Sequence, residues 1–354
     1  MGLGATIVSS AGSSDDLADA SWVEVHERMG EPTTFRLRFD VDLDDGEVDW
    51  VSDERLSVGS TLKITTSVGE LSECLVKGPV HAQRIHLAHG GEGSLVEVRG
   101  TDALVEMDRE AQSHQWKDAT DSEVVEQILQ KYGLTADVAS TKSKHQEDKH
   151  TLIQRESDLG FVRRLARRNG YLFWLTFDSE GTAGTAHFKR PPLDGAATTK
   201  LSINVDTPNI DEIQIEWDVE RPTSFEASHV DLNDKKTLDG STKKSPLTAL
   251  GDRDLASITG DKRSMFLAAP IDEAGDLVAR TEGAVIESSW FVRATCSTNL
   301  EALGSIVHAH SVVELEGAGS RHSGKYFVAS VKHTIDPVLH LMEIELVRNA
   351  WSTR

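Results

Sequence analysis

A mainly β, α+β fold is predicted for this chain: two β units with an α+β insert between them. Three observations predict it. Polar and apolar residues alternate through residues 20–100, and the alternation resumes after Pro191-Pro192. Between Thr101 and Pro191 the period becomes helical. A block led by Gly and Ser, Val58-Gly59-Ser60-Thr61-Leu62, has a counterpart in Leu303-Gly304-Ser305-Ile306-Val307, and each leads into strand, turn, strand, turn, strand. Weak self-similarity of this kind suggests that the two β units are copies of one.

Residues 1–20 are small and polar, with Ser9-Ser10, Gly12-Ser13-Ser14 and Asp15-Asp16, and are expected to form a flexible or partner-bound arm. From Trp22 the alternation begins: Val23 and Val25, then Phe35, Leu37, Phe39 and Val41 separated by Arg36, Arg38 and Asp40. Strands with one wet face have this pattern. Residues 58–64, 73–80 and 94–99 add further strands, so residues 20–100 predict a small barrel or sandwich. In the insert, Asp121 or Ser122 caps a helix on which Val124, Val125, Ile128, Leu129 and Tyr132 recur at helical spacing before Gly133 ends it. The polar stretch from Ser140 to His150 predicts an exposed loop.

The stretch Gln154–Tyr171 has the clearest helix limits. Ser157 is a good N-cap, Asp158 offsets the positive end of the dipole, and Asn169-Gly170 supplies a left-handed stop. Leu159, Phe161, Val162, Leu165 and Ala166 share one side, with Arg163, Arg164, Arg167 and Arg168 opposite. Strands are predicted at Tyr171–Phe177 and Ala186–Lys189, then at 210–217 and 223–230. Residues 231–270 suggest a polar surface excursion, followed by a helix over 272–286. The last strands are placed at 290–296, 306–315, 326–333 and 340–347.

With 354 residues, 38% hydrophobic and 27% charged, the chain can bury a large core. No apolar run is long enough to span a bilayer and the N-terminus lacks a signal-peptide pattern, so stable membrane insertion is not expected. A net charge of −21 argues against specific nucleic-acid binding, which needs clustered cations. Residues 1–60 hold fourteen Asp or Glu against four Arg. A solvated face is the ordinary explanation; the sharper one is an acidic surface lining a channel through which a polyanion slides. Cys74 and Cys296 have no metal or redox spacing, and two reduced, packed thiols are expected rather than one disulfide.

Catalytic and cofactor motifs are not found. His308 and His310 lie two apart on a predicted strand, with His322 and His333 near them in sequence and His86 three residues from His89, but no HExxH or CxxC spacing accompanies them. Gly317-Ala318-Gly319-Ser320 is expected as a turn with no helix after it, which does not make a phosphate cradle. No catalytic residue, cofactor or metal is therefore expected, and the chain is expected not to be an enzyme. Arg163, Arg164, Arg167 and Arg168 predict either a solvated helix face or a contact with carboxylates of a neighbouring chain.

The pattern Gln-x-x-x-Ser-Asp-Leu-x-Phe-x-x-x-Leu-Ala-x-x-x-Gly-Tyr at Gln154–Tyr171 [with further matches at Gly100–Leu104, Asp121–Leu134, Leu303–Val307, Gly317–Gly319 and Ser323–His333] resembles the late-control D family of phage tail proteins. That family shares its fold with the N-terminal part of VgrG spike proteins. The resemblance implies two tube-like antiparallel β-barrel domains and an α+β insert, in a homotrimer. Its expected divisions are a flexible arm over 1–20, a first barrel over 21–105, an insert over 106–192, a second barrel over 193–230 and 285–354, and an excursion with a helix over 231–284. The chain stops at Arg354, so no oligonucleotide-binding barrel, lysozyme domain or needle is expected, and the spike is expected as a separate polypeptide.

The implied function is a structural baseplate hub of a contractile phage tail or phage-like injection particle. It would join a sixfold tube to a threefold spike and contact other baseplate proteins. It would be made in the bacterial cytoplasm, and DNA or effector cargo would pass through its lumen. The alternatives are a hub or tail-tip protein of a non-contractile tail, and a tail-associated cell-wall hydrolase.

Overall fold

The computed structural model describes residues 3–11, 17–41, 48–69, 71–147, 151–231, 235–260, 263–267 and 274–353. Twelve strands form its main sheet. The first six are β1 (Ala5–Ser9), β2 (Trp22–Arg28), β3 (Thr34–Asp40), β4 (Thr61–Val68), β5 (Leu71–His86) and β6 (Leu95–Thr101). The second six are β7 (Lys200–Ser202), β8 (Ile213–Trp217), β9 (Val292–Asn299), β10 (Val312–Glu316), β11 (Gly324–Ile335) and β12 (His340–Arg348).

Strand order shows two copies of one plan. The first unit runs β1-β4-β5-β6-β3-β2 and the second β7-β10-β11-β12-β9-β8, the same order with each number raised by six. All these neighbours are antiparallel except β7 and β10. The correspondence extends to single residues. Val80 in β5 donates to the Ser60 carbonyl and accepts from the Gly59 amide; Val328 in β11 does the same with Ser311 and His310. Gly59 (φ 87°) and His310 (φ 65°) are both left-handed. A bulge follows each valine, between Val80 and Ala82 and between Val328 and Ser330.

The repeat is therefore real in topology, but its register differs from the one suggested by sequence. Gly304-Ser305 follows a short helix at Leu300–Leu303, whereas the counterpart of Gly59-Ser60 is His310-Ser311. A histidine carries the left-handed turn there, which hides the glycine signal.

Each unit has its own core. Ile7, Val23, Val25, Phe35, Leu37, Phe39, Ile64 and Val96 pack in the first, and Phe291, Val292, Val313, Tyr326, Val331 and Leu346 in the second. Ile306 and Ile335 cross over into the first core. The units join edge to edge where β2 pairs with the second half of β11, from Val23 opposite Ile335 to Arg28 opposite Ser330.

Residues 1–20, expected as a flexible arm, contribute β1 and the buried Leu17. Ala5, Ile7 and Ser9 face inward in β1, and small residues in alternation gave too weak a signal to mark a strand. In the insert, α1 (Asp121–Lys131) is capped by Thr120, whose side chain and that of Glu123 form a capping box, not by Asp121 or Ser122. α2 (Asp158–Arg168) begins at the Ser157 cap, and Gly170 follows it at φ 66°. Leu172–Phe177, Gly184–Lys189 and Thr135–Val138 form a three-stranded sheet beside these helices. Lys144–His145 pairs with Ala119–Thr120 and His145 is buried, so this part of the expected loop is docked; residues 148–150 lie outside the described ones.

The 231–270 region is not only a surface excursion. Lys236–Thr242 and Ser264–Leu267 flank Ser224–Asp231 in a separate sheet, so Ser224–Asp231 does not belong to the second unit's sheet. Ala227 from this sheet packs on Leu277 of α3 (Ala274–Ser289). α3 meets α2 through glycines: a Cβ on Gly283 would sit 2.9 Å from the Arg167 carbonyl oxygen. Residues 272 and 273 of the expected helix lie outside the described residues.

Candidate functional site

The joint between the two units carries a connected set of ionisable side chains, Glu27, Glu73, His308, His333 and His340. β2 alternates Val23, Val25 and Glu27 inward, so Glu27 is driven to the buried face by the valines that precede it. Its carboxylate accepts from His308 Nδ1 at 2.8 Å and from the Ala309 amide at 2.9 Å. His308 Nε2 donates to Glu73 of β5 at 3.0 Å, so one imidazolium is held between two carboxylates of the first unit. On the other side of Glu27, His333 Nε2 lies 3.5 Å away, and His333 Nδ1 shares a 3.0 Å hydrogen bond with His340 Nε2.

The charges follow from these contacts. Burial alone would lower the pKa of His308; the charge of Glu27 and the hydrogen bonds to Glu27 and Glu73 overcome this and raise it to about 10. Burial would raise that of Glu27, but His308 and then His333 hold it far below the ordinary carboxylate range. Burial, reinforced by the charge of His333, lowers that of His340 to about 3.

His310 behaves oppositely to His308, although both were expected on one strand face. The segment before Val312 is not a strand, and the left-handed turn at His310 rotates the two rings apart. His310 stacks on Trp174 of the insert with centroids 4.5 Å apart and accepts from the Gly30 amide at 3.1 Å. Burial lowers its pKa to about 3, so it is a neutral acceptor tying the insert to the joint. His322 lies in a one-turn helix, Gly319–His322, which follows the Gly317 turn where none was expected. His86 ends β5 and is exposed.

This arrangement clamps the two units of the main sheet together. Glu27, His333 and His340 are closed to solvent, so they have no open face for a substrate. Among the described residues no group of three or more His, Cys, Asp or Glu is arranged to hold a metal ion, and Cys74 and Cys296 are buried and free. No helix among them is long and apolar enough to cross a membrane.

The four arginines divide. Arg168 is folded inward, its side chain 9% exposed, with both nitrogens on Asp121; Nε lies 2.7 Å from Oδ2. The helix winds Arg168 toward the N-terminus of α1, so it is not part of an open stripe. Arg164 bonds Glu156 at 2.6 Å and Arg163 lies 3.7 Å from Glu31. Arg167 is exposed, and with Arg163, Glu31 and Glu287 it lines a groove between α2 and α3. Of the fourteen acidic residues in 1–60, Asp15, Asp16, Asp42, Asp44, Asp45 and Glu47 lie outside the described residues, while Asp19, Asp40, Asp49 and Glu54 are exposed.

Sequence reasoning missed Glu27, Glu73 and Asp121. A signal for Glu27 existed: a carboxylate at the third inward position of a Val-x-Val-x-Glu strand is out of place unless something pairs it.

The pH dependence of the joint has a definite sign. His308, with its folded pKa raised from 6.5 to about 10, adds stability that is complete below 6.5 and is lost as pH rises through about 10. Glu27, depressed from 4.5, adds stability that is complete above 4.5 and is lost as pH falls. His310 and His340, with folded pKa values lowered to about 3, cost stability as pH falls below 6.5, so denaturation midpoints are expected to peak near 6.5 and decline on both sides. His308→Gln should flatten the alkaline limb; an unchanged limb in that variant would contradict the assignment.

The double β plan with its insert is the fold of phage tail and type VI secretion spike-related proteins. The chain is similar in structure to the 43 kDa tail protein of prophage MuSo2 from Shewanella oneidensis (TM-score 0.65, 14% identity, covering 97% of this chain and 98% of that one). It is also similar to the tail protein from Neisseria meningitidis MC58 (TM-score 0.66, 12% identity, 99% and 98% covered). A third similar structure is the E. coli c3393 protein, a component of the type VI secretion system (TM-score 0.58, 11% identity, 93% and 73% covered). By sequence, the chain belongs to the Alg8 N-terminal domain family, whose profile matches residues 6–337. No curated protein matches it.

Proposed function

We propose that this chain is a non-enzymatic hub subunit of a contractile phage tail or phage-like injection particle, of the late-control D type. Three copies form a ring that joins a sixfold tube to a threefold spike. The observation that carries this reading is the repeated strand order within one chain. Two like-shaped units per subunit let three subunits present six, which meets a symmetry mismatch by heterologous contacts around a closed ring. The fold shared with tail proteins supports the same reading.

In this role the Glu27–His308–Glu73 clamp keeps the two units of a subunit at fixed spacing while the particle is driven through a membrane. Tube protein, a separate spike and other baseplate proteins are the partners. Arg163, Arg164 and Arg167 remain candidates for contact with a neighbouring chain, and the acidic residues of 1–60 for the lumen wall. Synthesis in the bacterial cytoplasm would precede assembly into the baseplate.

The test is the mass and shape of the purified chain alone and with its tube and spike proteins. A species of three 38.7 kDa chains with six lobes in electron-microscope class averages is the expected result. A chain that remains single in the presence of both partners defeats the proposal.

A further inference from the structure

We propose that two open edges of this fold are the two sides of one interface between copies of the chain. β8 of one copy adds as a strand to the second half of β5 in the next. This deepens the ring reading above, on which it rests, by naming its contact.

The fold contains the template. At the joint within one chain, β2, the outer strand of the first unit, pairs with residues 330–335 of β11. It occupies the stretch just beyond β10, on the side of β11 away from β12. β8 is the counterpart of β2 and β5 the counterpart of β11. Among the described residues β8 pairs only with β9. Among the described residues, those at 82–86 of β5 pair only with β6. Val80 turns both its backbone groups toward Ser60 and Gly59, so β6, opposite Val80 at Gly100, lies on its other side. The side beyond the end of β4 is consequently the vacant equivalent of the β2 position.

The matching bulges and pairings set the register. Val80 corresponds to Val328, so Ile85 corresponds to His333 and Leu87 to Ile335. Val25 corresponds to Ile215 through their partners Phe35 and Ala294, which stand opposite Gly100 and Leu346. Copying the β2–β11 register places Ile213 opposite Leu87, Ile215 opposite Ile85 and Glu216 opposite Arg84 of the next copy.

The side chains suit that register. Ile85 and Leu87 are 44% and 54% exposed in the single chain, and Trp217 at the end of β8 is 50% exposed. Two apolar pairs would meet on one face, and on the other Glu216 would meet Arg84, neither of which has an ion-pair partner among the described residues. Main-chain hydrogen bonds give such a contact its strength and the alternating pairs its specificity. His81, Gln83, Arg84 and His86 along the same edge are exposed polar groups that discourage pairing with unrelated strands.

Cysteine cross-linking in the full chain tests this. Under mild oxidation the double variant Ile215→Cys/Ile85→Cys should give a ladder ending at three chains. It should form roughly fivefold more cross-linked product than Ile215→Cys/Gln83→Cys, which is displaced by one same-face step. A second arm uses charge: Glu216→Arg should weaken self-association roughly fivefold, and adding Arg84→Glu should restore it. Trimers that cross-link equally in both registers, or in neither, overturn the edge pairing and leave the ring reading intact. A chain that stays monomeric at high concentration and with its partners present overturns both.

Discussion

Replacing Glu27 by alanine is expected to destabilise the folded chain by about 3–5 kcal/mol, the usual cost of removing one partner from a buried ion pair. The side chain is 10% exposed and holds His308, His333 and the Ala309 amide in place. Without it His308 keeps only Glu73, and His333 faces an unfilled space between the units. Glu24, three residues earlier on the same strand, pairs with Arg36 at 3.5 Å, and the arginine is half exposed. Glu24→Ala should therefore cost under about 1 kcal/mol. Urea denaturation measures both. Amide exchange should rise first in residues 23–28 and 330–335, where β2 and β11 pair. Equal losses for the two variants would show that the joint does not depend on this carboxylate.

Asp121→Ala is expected to be comparably damaging, by about 3–5 kcal/mol, but within the insert. Asp121 begins α1 and is buried, and its carboxylate accepts from Arg168, His145 and the Asn169 amide group. Burial alone would raise its pKa; the hydrogen bond from His145 and the charge of Arg168 reverse this and hold it down. Truncation takes from a guanidinium, an imidazole and an amide the carboxylate they share, leaving the buried Arg168 charge without its counter-ion, and each lost hydrogen bond adds to the cost. Arg164→Ala, which removes an exposed pair with Glu156, should change stability by less than about 1 kcal/mol. Thermal unfolding followed by tryptophan fluorescence should report the change, since Trp116 lies in the same cluster as α1 and α2. A loss no larger than that of Arg164→Ala would reject the network as a source of stability.

These two carboxylates differ in how readable they were. Glu27 sits in a strand whose alternation is visible, so its inward direction could have been read even though its partners, 281 and 306 residues away in sequence, could not. Asp121 looked like a helix cap because Asp is a good one and α1 begins there. Thr120 took the cap, which freed Asp121 to turn inward toward Arg168. The inward fold of Arg168 is hidden for a related reason: helical spacing gives its angle around α2 but says nothing of what α1 brings against it.

What the sequence by itself determined were the local features whose physics is local. These are the Ser157 cap, the Gly170 stop and apolar face of α2, the alternation in β2 and β3, and a mainly β chain interrupted by a helical insert. Pairing was decided only by the tertiary structure. A period of two tells a strand which face to bury but not which strand lies beside it. The partnership of Val23 with Ile335 and the equivalence of Gly59 with His310 therefore emerge only once both units are folded. The same holds for the two open edges: an unpaired strand reads in sequence like a paired one, and it is the missing neighbour in space that marks it.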